Sequence, residues 1–264
     1  MMRRYIIESK DGGVSESIGF LLIFSIVIAG IGLVTLYGYP LLLQQQVGAE
    51  EKIMEKNMIV LQNDIKSLAY KTVPYKETSL KIGGGSLTVY NSSYNPPSST
   101  IKIYDSSGTI YVSSFHPGEL RYESVSAQTD ISLQNGAVVL RPRVQTGSVM
   151  LAEPRWFYDA PTKTLVINLI NITSDNIIAK EGIGTVRMKL GGTNYTNYNP
   201  VGDVKIDYTP DSTCVQDYSV AWSNYFRNSL AMTGPQGSCG LNTYTRSNVN
   251  TLVIKQYEVK IEAI

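Results

Sequence analysis

One histidine and two cysteines in 264 residues leave this chain little of the usual catalytic vocabulary. His116 stands in a His-Pro-Gly turn, so neither an HExxH zinc site nor a Ser-His-Asp arrangement can be drawn from neighbouring residues. A GxSxG elbow, a Walker A loop, a CxxC pair and a GxGxxG following a strand are all missing. The net charge is +1 with no basic run, which removes the electrostatic basis for nucleic-acid binding. Asp203, Asp207 and Asp211, four apart, would share one face of a regular strand and could hold calcium, but Pro210 interrupts that strand and solvated carboxylates are the expectation. The reading is therefore of a protein that is not an enzyme, with no metal ligands and no cofactor. Phenylalanine is also scarce, five against eighteen tyrosines, which suits strands with one wet face.

What the chain has in abundance is hydrophobic sequence near its start. Residues 18–43 form a run of about 26 largely apolar residues without a charge, long enough to cross a bilayer as a helix. A secretory signal has a shorter apolar stretch, with its small-residue cleavage site after that stretch. Here the small pair Gly12-Gly13 precedes it. A cut there would leave the whole apolar helix on the mature chain. Arg3, Arg4 and Lys10 lie before the run and no positive cluster follows it closely, so the positive-inside bias puts the leader in the cytoplasm and the remainder outside.

The order Lys10-Asp11-Gly12-Gly13-Val14-Ser15, and the stretch Val14-Ser15-Glu16-Ser17-Ile18-Gly19, resemble the start of archaeal type IV pilin-like proteins with a class III signal peptide. The resemblance covers roughly the first 70 residues and implies a leader over 1–13. It implies a prepilin peptidase cutting between Gly13 and Val14, with Gly12/Gly13 as second choice. It also implies a pilus assembly machinery as partner, and self-association or association with other pilins through the helix. Bacterial pilins carry glutamate at the fifth mature position; Glu16 would be third, so its assembly role is carried over in a different register. Gly30, Gly32 and Gly38 would permit close approach of neighbouring helices, although they form no GxxxG motif and glycine is frequent in membrane helices generally.

From residue 47 to 70 the pattern becomes amphipathic. Met54, Met58, Leu61, Ile65 and Leu68 follow a 4-3-4-3 spacing that lines one helical face. With Pro40 and Gly38 weakening it locally, a long N-terminal helix is expected over 14–72, with a kink or melted turn near Pro40. Its stripe would seat on the protein's own head, or serve a stalk or coiled coil.

Residues 73–264 are rich in Thr, Ser, Tyr, Asn, Val and Ile, with turn signals every 8 to 12 residues or so, which predicts a β-rich extracellular head. Hairpins are expected over 79–90 around Gly83-Gly84-Gly85, and over 101–112 around the turn at Asp105–Gly108. Further strands are expected over 119–126, 137–141, 148–151, 164–170, 185–190, 204–208 and in two halves of 251–263. An amphipathic helix carrying Val215, Tyr218, Trp222, Tyr225, Phe226 and Leu230, capped by Ser212 or Thr213, interrupts them. Cys214 and Cys239 bracket it and, outside the cell, read as a disulfide. Asn91, Asn171 and Asn194 begin Asn-x-Ser/Thr sequons.

The fold class expected is α+β: a long N-terminal helix followed by a mainly antiparallel, sandwich-like β head with one short inserted helix. The function expected is a major or minor filament subunit serving adhesion or surface contact. A single-pass anchored module binding glycan, cell-wall polymer or protein stands as the alternative, and an exported hydrolase with a dispersed site as a third.

Overall fold

The computed structural model describes residues 12–71, 73–93, 99–199, 202–211 and 213–264, with side chains from Ser17 onward. Residues 1–11, which hold most of the expected leader, and the side chains of Val14 and Glu16 lie outside the described residues. The chain divides into two compact units at Ala49/Glu50.

Helix α1 (Gly12–Leu33) leads through a π-helical turn (Val34–Gly38) into α2 (Tyr39–Lys71). The predicted irregularity thus falls just before Pro40, as a widened turn in which the Tyr39 amide donates to the Val34 carbonyl. A proline has no N–H to give and its ring crowds the carbonyl four residues back. A π turn relieves both without stopping the helix.

The head begins with β1 (Tyr75–Tyr90), β2 (Ser99–Asp105), β3 (Ile110–Phe115), β4 (Glu119–Ser124), β5 (Thr129–Gln134), β6 (Ala137–Pro142) and β7 (Val149–Ala152). It continues with β8 (Phe157–Asp159), β9 (Thr164–Thr173), β10 (Ile178–Tyr198), β11 (Gly202–Pro210), helix α3 (Ser219–Asn224), β12 (Asn242–Val249) and β13 (Thr251–Ala263). Nine strands form one sheet in the order β7-β6-β5-β4-β1-β10-β13-β9-β8, and four form another in the order β12-β11-β2-β3. Every pairing is antiparallel except β13 with β9. The molecule is α+β, as the sequence pattern predicts.

The large sheet is covered on both faces, and alternation along its strands shows how. Leu165, Ile167 and Leu169 of β9, with Leu252 and Ile254 of β13, join a core with the small sheet and α3. Ile170, Ile172, Val259 and Ile261, of opposite parity, join a second core with α2. Met54, Met58, Leu61, Ile65 and Leu68 are all fully buried in that second core. Each such side chain contributes about 1.5–3 kcal/mol by leaving water. Gln62 sits among them, its Nε2 donating to the carbonyls of Gly136 at 2.7 Å and Glu153 at 3.0 Å, so the one buried polar side chain of the stripe is satisfied.

Three expectations are corrected. Residues 79–90 are not a hairpin but part of the single strand β1: the register against β10 shifts between Ile82 and Ser86, making the glycines a bulge. Gly84 has φ +64°, and a Cβ on Gly85 would lie 2.2 Å from the Glu123 carbonyl oxygen, so the glycines serve close backbone approach rather than chain reversal. Residues 251–263 are likewise one strand rather than two halves, because β13 is held along its length by β10 and β9. The inserted helix starts at Ser219, later than expected: Cys214 is left-handed at φ +58°, and Asp217 Oδ1 accepts the Ser219 amide. Thr213 bonds Asp211 instead of capping, Ser212 lies outside the described residues, and Val215 is exposed. The rest of its stripe is core: Tyr218, Trp222, Tyr225, Phe226 and Leu230 are buried, with Tyr225 and Phe226 in a second π turn (Tyr225–Ser229) that follows α3.

Candidate functional site

The first candidate is α1 itself. The helix from Ser17 to Lys71 contains a stretch long and apolar enough to cross a membrane, and its large apolar side chains from Ile18 to Leu43 are exposed. Its hydroxyls are closed internally, Ser25 Oγ donating to the Leu21 carbonyl at 2.7 Å and Thr35 Oγ1 to that of Ile31 at 2.9 Å. Such back-bonding spares these two hydroxyls from being buried unpaired by lipid or a packed neighbour. A Cβ placed on Gly30 or Gly32 meets nothing within 4 Å, and one on Gly38 meets only Val34 at an ordinary 3.6 Å. Among the described residues, therefore, no contact requires glycine at these three positions. Gly12, Gly13 and Val14 lie in the first turn of α1.

The second candidate is a groove on the head, at the C-terminal end of α2. It has a volume of about 780 Å³ and is walled by Tyr70, Arg155, Phe157, Tyr195, Lys255 and Tyr257, from α2, the loop into β8, β10 and β13. The Tyr70 and Tyr257 rings meet edge to face, 5.4 Å between centroids. The Arg155 guanidinium lies 4.9 Å over Tyr70 and the Lys255 ammonium 5.7 Å over Tyr195. Trp156 explains the outward aim of its neighbours. Its indole is buried against Trp222 and Phe226 and donates to the Asn168 carbonyl at 2.6 Å, while Asn168 Nδ2 donates back to the Arg155 carbonyl. With Trp156 pinned inward, Arg155 and Phe157 are left exposed. An adjoining cavity of about 490 Å³ shares Tyr70 and Arg155 and adds Lys66 and Lys71. Burial first, and the Arg155 charge second, lower the Lys66 pKa; burial raises that of Tyr257.

A third feature is ionic and internal. Glu119 and Asp130 are fully buried on β4 and β5. Glu119 accepts from Arg121 and the Ser132 hydroxyl, and Asp130 pairs with Arg143 at 2.6 Å and Arg141 at 3.4 Å. Arg121 also lies 4.2 Å over the Tyr90 ring. The charges are matched within the protein, which marks a structural network.

A family model described as DUF7289, a family of unknown function, matches residues 13–262. The chain belongs to the DUF7289 family. No curated protein and no solved structure matches it. The DUF7289 match takes in the apolar helix and the β head together, so both belong to what the family shares.

In this DUF7289 chain the three sequons sit in different surroundings. Asn91 Nδ2, the atom a sugar would join, donates to the Ser174 carbonyl at 2.6 Å, and the Asn171 side-chain oxygen is buried within β9. Asn194 is exposed on β10. Cys214 and Cys239 are joined in a disulfide, with Cα atoms 5.8 Å apart. The three aspartates do not converge: Asp203 accepts from the Asn248 amide, Asp207 from Tyr104 and Thr243, and Asp211 from Thr213. Among the described residues no group of three or more His, Cys, Asp or Glu is placed to hold a metal. The groove is the feature the sequence reading missed. Its rings come from positions 70, 157, 195 and 257, and only the sheet order brings them together.

Proposed function

We propose that this protein is a subunit, major or minor, of an archaeal type IV pilus-like surface filament, cut by a prepilin peptidase between Gly13 and Val14 and assembled through α1. One observation carries the reading. The large apolar side chains of α1 are exposed while the stripe of α2 is fully buried in the head, so one helix offers an exposed apolar half and a seated half. A helix with every backbone group paired internally moves from lipid into a bundle of like helices without opening hydrogen bonds. The driving force is then close packing, which Gly30, Gly32 and Gly38 favour. The Cys214–Cys239 disulfide supports an oxidising, extracellular setting for the head. Adhesion or surface contact is the role such a head would serve.

Expressing the full chain in membranes with and without an archaeal prepilin peptidase tests the reading. The peptidase should shorten the chain by its leader, and a Gly13→Leu substitution should prevent this. A chain that stays full length with active peptidase leaves the single-pass anchored module as the account of α1.

A further inference from the structure

The groove beside the end of α2 combines three properties that together name a ligand class. First, it is faced by aromatic rings, with Tyr195 and Phe157 exposed by 59% and 46%. Flat rings with a hydroxyl at one edge suit ligands that are apolar on one face and polar at the rim, as sugar rings are. Second, the charges are of one sign. Arg155, Lys255, Lys66 and Lys71 line the groove and its adjoining cavity, and no aspartate or glutamate does so among the described residues. Glu153, near Arg155 in sequence, accepts from the Ser229 hydroxyl at 2.6 Å. Burial first and the Arg155 charge second lower the Lys66 pKa, and the opposing charge of Glu153 offsets them only in part. Third, the site is extended and held. Two cavities of about 780 and 490 Å³ share Tyr70 and Arg155, each within the range of small-ligand sites. The Trp156 and Asn168 hydrogen bonds fix the loop that presents Arg155 and Phe157.

We infer that this groove binds an acidic glycan, a chain of sugar rings carrying carboxylate or sulfate groups, with the rings on Tyr195, Phe157 and Tyr257 and the anions on Arg155 and Lys255. The inference deepens the adhesion role proposed above, but does not rest on filament assembly. Binding is measured on unassembled chain, so its failure and a failure of leader cleavage are separate results.

The test is titration calorimetry on the full chain in detergent, produced without glycosylation so that Asn194 is bare. The probes are an oligogalacturonate, a sulfated heparin oligosaccharide, neutral cellohexaose and an oligo-aspartate peptide. One or both acidic saccharides should bind with a dissociation constant below about 1 mM. Which one binds tells carboxylate from sulfate, and the affinity should fall as salt is added. Tyr195→Ala and Lys255→Gln should each weaken binding about fivefold, the loss expected for a solvent-accessible ring or cation contact. Lys102→Ala on the small sheet should leave it unchanged. Lys255→Gln keeps the test valid if Tyr195→Ala does not fold. No binding of either acidic saccharide, equal binding of cellohexaose, equal binding of the oligo-aspartate, or unchanged binding by folded groove variants would each overturn the inference.

Discussion

At the turn between β2 and β3, the Asp105 carboxylate accepts hydrogen bonds from the Ser107 hydroxyl at 2.6 Å, the Thr109 amide at 2.8 Å and the Tyr111 hydroxyl at 2.8 Å. Those bonds, Ser107's first, hold its pKa well below the usual carboxylate range. A group whose folded pKa is depressed contributes stability that is present above its unfolded value, about 4, and is lost as pH falls through the folded value. Asp105→Asn should therefore flatten the acid-side loss of head stability between about pH 5 and pH 2. Denaturation followed by the fluorescence of the buried Trp156 and Trp222 measures this directly. Gln62 gives a second test at this scale. Gln62→Leu keeps the bulk but takes the side-chain donor from the Gly136 carbonyl and one of two from the Glu153 carbonyl, which Lys66 Nζ also reaches, and should cost about 1–3 kcal/mol by the same measurement. Single residues were unevenly legible in the sequence. The aromatic stripe of α3 was readable because its spacing is local, whereas β5 was missed because Asp130, Ser132 and Gln134 put buried polar residues where a core strand should be apolar.

Among the elements, α2 binds the large sheet through a stripe that the 4-3-4-3 spacing had marked position by position. Met58→Ala should lower head stability by about 2–5 kcal/mol, the cost of removing a fully buried side chain and leaving a cavity. A substitution on the exposed side of the same helix, Val60→Ala, should change it by less than about 0.5 kcal/mol. The strands show where reading from sequence stops. Asn135-Gly136, both at positive φ, close the β5–β6 hairpin as the dipeptide suggests. Gly83-Gly84-Gly85 carried the same turn signal and is a bulge, because what decides between them is β4, which arrives from some 35 residues later in the chain to pair with Gly85–Tyr90.

For the molecule as a whole, α1 is the element whose large apolar side chains, from Ile18 on, are exposed. If filament packing is its purpose, Gly32→Leu should leave head stability and membrane insertion unchanged while sharply reducing filaments in sheared surface fractions, counted by electron microscopy. The open space around Gly32 in the single chain is the reason a leucine there should not disturb folding. Long-range sheet order escaped the sequence reading, and with it the groove, since β1 neighbours β10 and β13 neighbours β9. The apolar run, the stripe and the change to β-rich composition were legible because each is written in consecutive residues.

The central claim is that α1 is exposed by leader cleavage and kept for assembly. Amino-terminal sequencing of the protein recovered from its native cell surface tests it most directly. The account predicts a first residue of Val14, or Gly13 with the alternative bond, and the apolar helix retained. A chain beginning at Met1 or Met2 would contradict it.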